Sequence, residues 1–317
     1  MKSICNRAIA LIVTSLLCGF VYAEAFPEKD IRIIVPFKPG GAVDTTSRII
    51  AEFAGKYLGE VTIRVENRAG GGGVVGQTYA ANAAPDGYTI LAMTSSVVTN
   101  PGLKQVGYKV SDFRAIALYT LDPEVIAVRA DSPLVTIGDF IVASRKTALS
   151  IAEAGLGTSH HLAGLAILEN SDLQLRFIHT RGFGAQLQAV LGGHVDAALW
   201  SFGEAKPHVD AGIVRLLGVA SATPLENEPN LETWQEGGLN VPQWSTFRGW
   251  AVPANTPETT VEYLANLLAQ VNKDPGYIAK MQAQGYPLAF RDSEAYAEVI
   301  ASYDELTRPI ITALRGK

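Results

Sequence analysis

Short runs of β-branched and aliphatic residues alternate with stretches of helical periodicity near the start of the chain. Strands are predicted at 30–36, 61–66 and 88–93, with helices at 45–58 and 74–83 between them. Strands that alternate with helices in this order pair in parallel, and the helices pack on the faces of the sheet. The pattern therefore predicts an α/β domain at the amino-terminal end.

The same alternation recurs in the middle of the chain, which indicates a second α/β domain. The predicted elements there are strands at 148–153, 175–178, 195–200 and 214–220 and helices at 161–169, 183–191 and 205–211.

Two further apolar segments, 124–130 and 247–253, are candidates for a pair of strands that cross between the domains. With two crossings the first domain is discontinuous, and the helical segment from 257 onward returns to it. The predicted domains are 26–124 with 249–317 for domain 1 and 125–248 for domain 2.

Residues 1–25 have the pattern of a secretory signal peptide. Lys2 and Arg7 give a positive start, residues 8–22 are apolar, and 23–25 read Ala-Glu-Ala, an A-x-A cleavage site. The apolar run is shorter than the roughly 20 residues of a membrane-spanning helix. We therefore expect export to the periplasm and a mature chain that begins at Phe26.

Both cysteines, Cys5 and Cys18, lie inside this segment. A mature chain without cysteine has no disulfide, no thiol chemistry and no Cys-ligated metal. Lipid attachment at Cys18 stays open as an alternative, although Leu17 precedes it where a small residue is usual.

Composition and charge exclude several functions. The chain of 317 residues is 48% hydrophobic and 18% charged, which is typical of a folded protein with a substantial core. Its 26 Lys and Arg against 31 Asp and Glu give a net charge of −5 without a basic block, so nucleic acid is not an expected partner. The overall field repels anions, so an anion would need a local pocket.

Four predicted strand-to-helix turns are rich in Gly, Ser and Thr. Ligands of open α/β sheets bind beyond the carboxyl ends of the strands, where such turns lie. Glycine lets the backbone approach a ligand, and free N–H groups at a helix start favour carboxylate or phosphate oxygens. Ordinary caps have the same composition, but four such loops in two facing halves suit a small anion. The turns comprise residues 37–46, 94–96, 155–161 and 179–184.

Cationic and titratable side chains also stand in these turns. Arg181 follows a strand and precedes a glycine, where its guanidinium can clamp a carboxylate bidentately, and Lys38 is a candidate second cation at the rim. A solvated surface position is the alternative for both. His160 and His161 are adjacent, so at most one is expected to face a ligand, and His160 is the more exposed candidate.

Other chemistries have weaker support. Residues 71–76 satisfy G-x-G-x-x-G, but they belong to a run of glycines, and the acidic residue expected about 20 positions later is missing. The sequence has no G-x-S-x-G, H-E-x-x-H or Walker motif. A Ser/His/Asp set assembled by folding, for instance Ser95 with His160 and Asp196, stays open. No cofactor or metal is expected.

A series of short motifs extends over essentially the whole mature chain. They are Ile-Val-Pro-Phe-x-Pro-Gly-Gly at 34–41, Glu-Asn-Arg-x-Gly-x-Gly at 66–72, Pro-Asp-Gly-Tyr-Thr at 85–89, Gly-Thr-x-x-His-Leu-Ala at 157–163, Leu-Gly-Gly-His-Val-Asp at 191–196 and Trp-Ala-Val-Pro at 250–253. In combination they resemble the periplasmic solute receptors of tripartite tricarboxylate transporters, also called Bug-type receptors. Each motif alone is common, whereas the combination is specific.

The resemblance implies a fold, a function and a set of contacts. The fold is an α/β two-domain periplasmic binding protein, a type II Venus flytrap with the ligand cleft between its domains. Such a protein is not an enzyme: it captures a small organic carboxylate and delivers it to a two-subunit integral membrane permease, and we expect it to be a monomer. The candidate ligand-binding residues are Phe37, Lys38, Gly40, Gly41, Ala42, Thr94, Ser95, Ser96, Thr158, Ser159, His160, His161, Thr180, Arg181 and Gly182.

Three positions depart from the family pattern. The family often has a small or apolar residue at Lys38, an aromatic-Lys-Gly at 180–182 and a small residue at His160. Two cations and an extra imidazole favour a second carboxylate on the ligand, so we expect a di- or tricarboxylate or an aromatic acid. A secreted hydrolase in the same cleft and a ligand-sensing subunit of a signalling system are the alternatives.

Overall fold

A computed structural model describes residues 26–315 of the chain. The predicted signal peptide, with Cys5 and Cys18, lies outside the described residues, as do 316–317. None of the helices between residues 26 and 315 combines the length and the apolar character that crossing a membrane requires.

Three parallel strands begin the first lobe. Strand β1 (Ile31–Val35) pairs with β2 (Ile63–Asn67) on one side and with β3 (Thr89–Thr94) on the other. All six residues of β3 are buried, as expected for a parallel strand covered by helices on both faces. This is the unit predicted from the alternation of elements. Its helices are α1 (Ala42–Ala54), α2 (Val74–Ala81) and α3 (Ser96–Leu103).

A second parallel group forms the second lobe. Strand β5 (Leu149–Glu153) pairs in parallel with β6 (Leu175–His179) and with β7 (Ala197–Ser201). The carboxyl ends of these strands point toward the first lobe. The remaining elements of this lobe are α4 (Ile137–Lys146), α5 (Ser159–Glu169), α6 (Phe183–Leu191), α7 (Phe202–Asp210) and β8 (Val214–Val219).

One long strand joins the lobes. Strand β4 (Phe113–Arg129) pairs antiparallel with β9 (Ser245–Pro253) along its first part and with β7 and β8 along its last part. Because β9 also pairs with β3, the strand order is β2-β1-β3-β9-β4-β7-β5-β6, with β8 beside β4.

The expectation that segments 124–130 and 247–253 pair with each other as the two crossing strands is wrong, because β9 pairs with an earlier part of β4. The partner of β9 is residues 113–123, whereas the residues of β4 from Glu124 onward pair within the second lobe. The sequence did not reveal the first part of β4 because Asp122 and Pro123 are residues typical of turns. Helix α4 was not predicted. A helix was expected after the turn 94–96, but no bounds were given for it, because Pro101 interrupts the pattern of α3.

Three helices close the described chain. They are α8 (Glu258–Lys273), α9 (Pro275–Ala283) and α10 (Ser293–Arg315). Leu264 and Leu268 of α8 pack in one apolar cluster with Ile31 and Ile33 of β1. Helix α10 reaches the second lobe, where the Tyr303 hydroxyl lies 3.3 Å from Ser159 Oγ. The four tryptophans, Trp200, Trp234, Trp244 and Trp250, are all at most 2% exposed.

A candidate ligand cleft between the two lobes

A cleft of about 310 Å³ opens between the lobes, beyond the ends of β1, β3, β5 and β6. Twelve of the fifteen candidate residues line it, although they come from four separate loops. These twelve are Phe37, Lys38, Gly41, Ala42, Thr94, Ser95, Ser96, Thr158, Ser159, His160, Arg181 and Gly182.

The loop that leads into α1 is held by Asp44. Gly40, with a φ of +89° that favours glycine, donates its N–H to Asp44 Oδ2 at 3.0 Å. Asn67 Nδ2 bridges Asp44 Oδ1 at 2.9 Å and the carbonyl of Phe37 at 3.1 Å. Burial raises the pKa of Asp44, but hydrogen bonds from Arg48 and from Gly40 hold it below its usual value. Gly40 therefore shapes the loop and does not line the cleft.

Several helices begin at the cleft without a capping side chain on the residue that precedes them. The residues that precede α1, α3, α5 and α6 are Gly41, Ser95, Thr158 and Gly182, and none makes a side-chain capping hydrogen bond. By contrast, Thr136 caps α4, whose start does not line the cleft. The first N–H groups of a helix lack partners within it and carry its positive dipole end, so this convergence suits an anion.

Two cations lie at the mouth of the cleft, one from each lobe. Lys38 follows β1 and Arg181 follows β6, and both side chains are exposed. Within residues 26–315 neither has a carboxylate partner within ion-pair distance. Both are therefore available to a ligand.

The two adjacent histidines are in different environments. His160 lines the cleft, with Nδ1 against Glu124 Oε1 and Nε2 at 3.4 Å from Glu204 Oε2. Burial alone would lower its pKa, but the two carboxylates outweigh burial and raise the pKa of His160 to about 10. The ring is therefore an imidazolium at neutral pH.

His161 lies outside the cleft. Its Nδ1 accepts the N–H of Gly157 at 3.2 Å, and its ring packs edge-on against Phe177 and His179, with centroids 5.4 and 5.0 Å away. Burial lowers the pKa of His161 to about 4, so it stays neutral. Of the two histidines, His160 is the one that reaches the cleft.

Thr180 lines a neighbouring cavity instead of the main cleft. That space of about 340 Å³ lies beside the glycine run 70–73 and shares Lys38 and Arg181 with the cleft. The hydroxyl of Thr180 donates to the carbonyl of Glu153 at 2.8 Å, which anchors the loop that carries Arg181.

Sequence reasoning missed a buried cluster of charges at the floor of the cleft. Asp122 and Glu124 stand two positions apart on β4, so both side chains leave the same face. Arg248 of β9 donates to Asp122 Oδ2 at 2.8 Å and to Ser201 Oγ at 2.9 Å. The sequence did contain a signal for this cluster, because Asp122, Glu124 and Arg248 are charged residues inside otherwise apolar strands. Charged residues are almost never buried unless they are paired, so such positions indicate buried ion pairs.

Glu204 of α7 completes this cluster and reaches across the cleft. Its Oε1 accepts the N–H of Ala42, the first residue of α1 in the other lobe, at 3.1 Å, and its Oε2 accepts from Ser201 Oγ at 3.2 Å. Burial raises the pKa of Glu204, but His160 and Arg248 outweigh it and lower the pKa to about 2. The carboxylate is therefore ionised.

The lobes are in contact at this point. A methyl group built on Gly41 would lie 3.5 Å from Glu204 Oε1 and 3.7 Å from Phe183 Cβ. Phe183 is the first residue of α6, lines the cleft, and packs against Trp200 with a centroid distance of 5.3 Å. The two lobes therefore touch across the cleft at Gly41.

The fold does not assemble the Ser/His/Asp set considered from the sequence. Asp196 stands at the amino end of β7, where its Oδ2 accepts from the N–H of Ser150 at 2.7 Å, far from the carboxyl ends that form the cleft. Ser95 Oγ accepts the N–H of Phe247 at 3.1 Å, and His160 faces Glu124 and not Asp196.

Comparison with known sequences gives a match over most of the chain. The model of the tripartite tricarboxylate transporter family receptor matches residues 46–315. A protein of Pseudomonas sp. strain P51 from the tcbD-tcbE intergenic region is 32% identical over 97% of this chain and 93% of its own length. BugT of Bordetella pertussis is 28% identical, with 86% of each chain covered.

Solved structures with the same fold include periplasmic binding proteins. BugD is 30% identical, with a TM-score of 0.82 over 92% of this chain and 98% of its own. MatC from Rhodopseudomonas palustris, solved with bound malate, is 26% identical, with a TM-score of 0.82 over 90% of this chain and 100% of its own. The predicted fold class is therefore confirmed.

Proposed function

Because the chain belongs to the receptor family of tripartite tricarboxylate transporters, we propose that it is a periplasmic solute-binding protein. It captures a small organic carboxylate in the cleft and delivers it, as a monomer, to a two-subunit integral membrane permease. The expected ligand is a di- or tricarboxylate or an aromatic acid. The malate-bound structure of MatC supports a carboxylate, since MatC shares 26% identity and the fold with this chain.

One observation carries this proposal: helix starts from both lobes, none capped by the side chain of its own preceding residue, converge on one cleft that also holds Lys38 and Arg181. Both lobes supply donors, so an anion in the cleft would contact both. A ligand that touches both halves favours the closed form over the open one, which is the state a transporter can recognise. Domains bounded at 26–124 with 249–317 and at 125–248 would be the bodies that close.

The proposed contacts follow the lining of the cleft. Backbone groups at Gly41 and Gly182, hydroxyls at 94–96 and 158–159, and the side chains of Lys38, His160 and Arg181 would surround the ligand, with Phe37 against its apolar part. Ala42 would lie beside them with its N–H on Glu204. Gly40, His161 and Thr180 would shape the loops behind them.

A thermal-shift screen of the mature protein, from Phe26 onward, tests the proposal. The library contains mono-, di- and tricarboxylates and aromatic acids, each paired with its neutral amide as a matched control. Binding to the native state alone raises Tm by linkage, so one class of acid should raise Tm while its amides do not. A shift by the amides as well, or by none of the acids, would contradict carboxylate capture.

The alternatives have their own readouts. Product formed from the stabilising acid during long incubation would indicate a secreted hydrolase. Loss of uptake in a deletion strain, restored by the intact gene, would support transport, whereas normal uptake with a lost transcriptional response would indicate a sensing subunit. Gel filtration with light scattering checks the monomer.

A further inference from the structure

Glu153 is a buried carboxylate at the point where two loops leave for the cleft. Its side chain is 0% exposed and lines neither the cleft nor the neighbouring cavity. Glu153 is the last residue of β5, and it pairs in register with His179, the last residue of β6. The β5 loop (154–158) and the β6 loop (180–182) follow this pair, and both supply residues that line the cleft.

This one residue holds both loops. Glu153 Oε1 contacts Nδ1 of His179, at the base of the β6 loop. Glu153 Oε2 accepts the N–H of Gly155 at 2.5 Å and lies 3.4 Å from Thr158 Oγ1, so it holds the β5 loop. The Glu153 carbonyl accepts the N–H of Thr180 at 2.9 Å and its hydroxyl at 2.8 Å. The position of one loop relative to the other is therefore set at Glu153.

The β5 loop also touches the first lobe. The hydroxyl of Thr99 on α3 donates to the carbonyl of Gly157 at 2.5 Å, while the N–H of Gly157 donates to His161 Nδ1 at 3.2 Å. A displacement of the β5 loop would therefore change a contact between the lobes as well as the lining of the cleft.

His179 is the part of this arrangement that can be changed from outside. Its side chain is 46% exposed, and its ring packs edge-on against His161 with a centroid distance of 5.0 Å. An ionised carboxylate can only accept, so the imidazole donates from Nδ1. Within residues 26–315 no other group donates to Glu153 Oε1. Without this donor the carboxylate is free to turn toward water and to leave Gly155, because a buried charge without a partner is costly.

We propose that Glu153 and His179 are positioning residues for ligand capture: they hold the β5 and β6 loops at the separation at which Thr158 and Arg181 contact one ligand. This inference rests on the proposed function and concerns how the site is held in place. Neither side chain lines the cleft, so both act through the loops. Groups that are already in position bind more tightly, because less ordering is needed on binding.

Two substitutions of His179 separate its donor from its ring. Asparagine keeps an N–H donor near the place of Nδ1 and loses the ring, whereas phenylalanine keeps the ring against His161 and loses the donor. Calorimetry well below Tm uses malate, citrate and benzoate as probes, with any other acid of the library that raises the Tm of the wild type. His179→Phe should bind at least about tenfold more weakly than the wild type, and His179→Asn within about threefold of it.

A role of His179 in packing alone predicts a different pattern. Loss of the ring would lower Tm most in His179→Asn, and the folded protein would bind the acids equally well in both variants. Wild-type affinity in folded His179→Phe, or equal losses of affinity in the two variants, would overturn the inference. His194→Phe, at an exposed histidine of the second lobe that lines neither cavity, should bind like the wild type.

Hydrogen exchange tests the link between the loops without any ligand. The amide of Gly155 donates to Glu153, so it should exchange at least about tenfold faster in His179→Phe than in the wild type or in His179→Asn. The substituted residue ends β6, whereas Gly155 follows β5, so faster exchange there reports the contact across the two strands. Unchanged exchange at Gly155 in His179→Phe would overturn the inference.

The outcomes separate the two proposals. If His179→Phe does not fold, His179→Ala replaces it, because water can then solvate Glu153 while the donor is still lost. Acid binding by the wild type that is equally tight in the variant without the donor leaves the proposed function standing and removes only this inference. If the wild type binds none of the acids, the proposed function is contradicted, and the role of the loops in capture with it.

Discussion

The guanidinium of Arg248 on β9 donates to the carboxylate of Asp122 on β4 at 2.8 Å, with side chains that are 2% and 0% exposed. The pair joins two adjacent strands at the floor of the cleft, where the lobes meet. We expect Arg248→Met to lower the free energy of unfolding by about 3–5 kcal/mol, because it leaves Asp122 buried without its cation. Urea denaturation of the purified variant measures this loss.

An exposed ion pair on the same strand gives the control. Arg114 of β4 lies 2.6 Å from Glu258, and the two side chains are 33% and 60% exposed. Solvent screens such a pair, so Arg114→Met should cost about 1 kcal/mol or less. Similar losses for the two variants would show that the Arg248 pair does not carry the stability assigned to it.

Arg181 is expected to contribute to affinity and not to stability. Its side chain is exposed at the mouth of the cleft and has no ion-pair partner among residues 26–315, so removing it should leave Tm nearly unchanged. A charge-assisted hydrogen bond to a carboxylate contributes about 1.5–3 kcal/mol, and exposure reduces this, so Arg181→Ala should weaken the best ligand about five- to fiftyfold.

Calorimetry of the Arg181→Ala variant with that ligand checks the loss. Arg145→Ala in the same lobe, where Arg145 pairs with Asp172 at 2.9 Å on the surface, should bind normally. Unchanged affinity in the Arg181 variant would remove this residue from the ligand site.

Closure should be sensitive to the size of residue 41. Gly41 has φ −87° and ψ 170°, which any residue can adopt, but Glu204 Oε1 and Phe183 Cβ would lie 3.5 and 3.7 Å from a new Cβ. We therefore expect Gly41→Leu to fold, to resist closing and to bind its ligand at least about tenfold more weakly. Gly55→Leu, with no atom within 4 Å of its Cβ, is the control.

X-ray scattering separates the possible effects of the Gly41 change. With ligand present, Gly41→Leu should have a larger radius of gyration than the wild type. The radius of gyration of Gly55→Leu should fall on binding as it does in the wild type. Wild-type affinity and contraction in Gly41→Leu would contradict the close approach of the lobes at this residue.

His160 should make the protein less stable in alkali. Its folded pKa of about 10 lies above the usual 6.5, so its stabilisation is complete below pH 6.5 and is lost as the pH rises toward 10. One proton corresponds to at most about 1.4 kcal/mol per pH unit within that window. Urea titrations at several pH values should show this slope, and His160→Gln should lack it.

The difference between wild type and His160→Gln isolates this histidine from other groups. Burial lowers the pKa of Lys104 to about 8. This group makes the folded protein more stable as the pH rises from 8 to 10.5, opposite to the effect of His160. Both proteins contain Lys104, so its effect cancels in the difference. A wild-type protein and variant with parallel pH profiles would show that His160 is not charged in the folded state.

The regular parts of the fold could be predicted because local patterning determines them. Strand β1, β3 and their helices have apolar runs and glycine-rich turns whose meaning depends on neighbours in sequence. The first part of β4 could not be recognised, because Asp122 is stabilised by Arg248 from a strand 126 positions away. Local propensity carries no information on such a partner.

The candidate site divides in the same way. Turns that follow parallel strands identified Lys38, Arg181 and most of the lining from the sequence, because strand ends converge in this architecture. Glu204 was not identified as a site residue. It belongs to α7, and its carboxylate reaches the start of α1 only because of how the two lobes approach each other. The choice between His160 and His161 likewise needed the packing of α5 against Phe177.

The contact between Phe183 and Trp200 gives this protein an optical signal of its own. Phe183 lines the cleft and packs edge-on against the indole of Trp200, while all four indoles are shielded from water. Entry of a ligand that displaces Phe183 should change the intensity of tryptophan emission. The wavelength of the emission maximum should change little, because the indoles stay shielded from water. Stopped-flow fluorescence could then time the capture of a ligand without any dye attached to the chain.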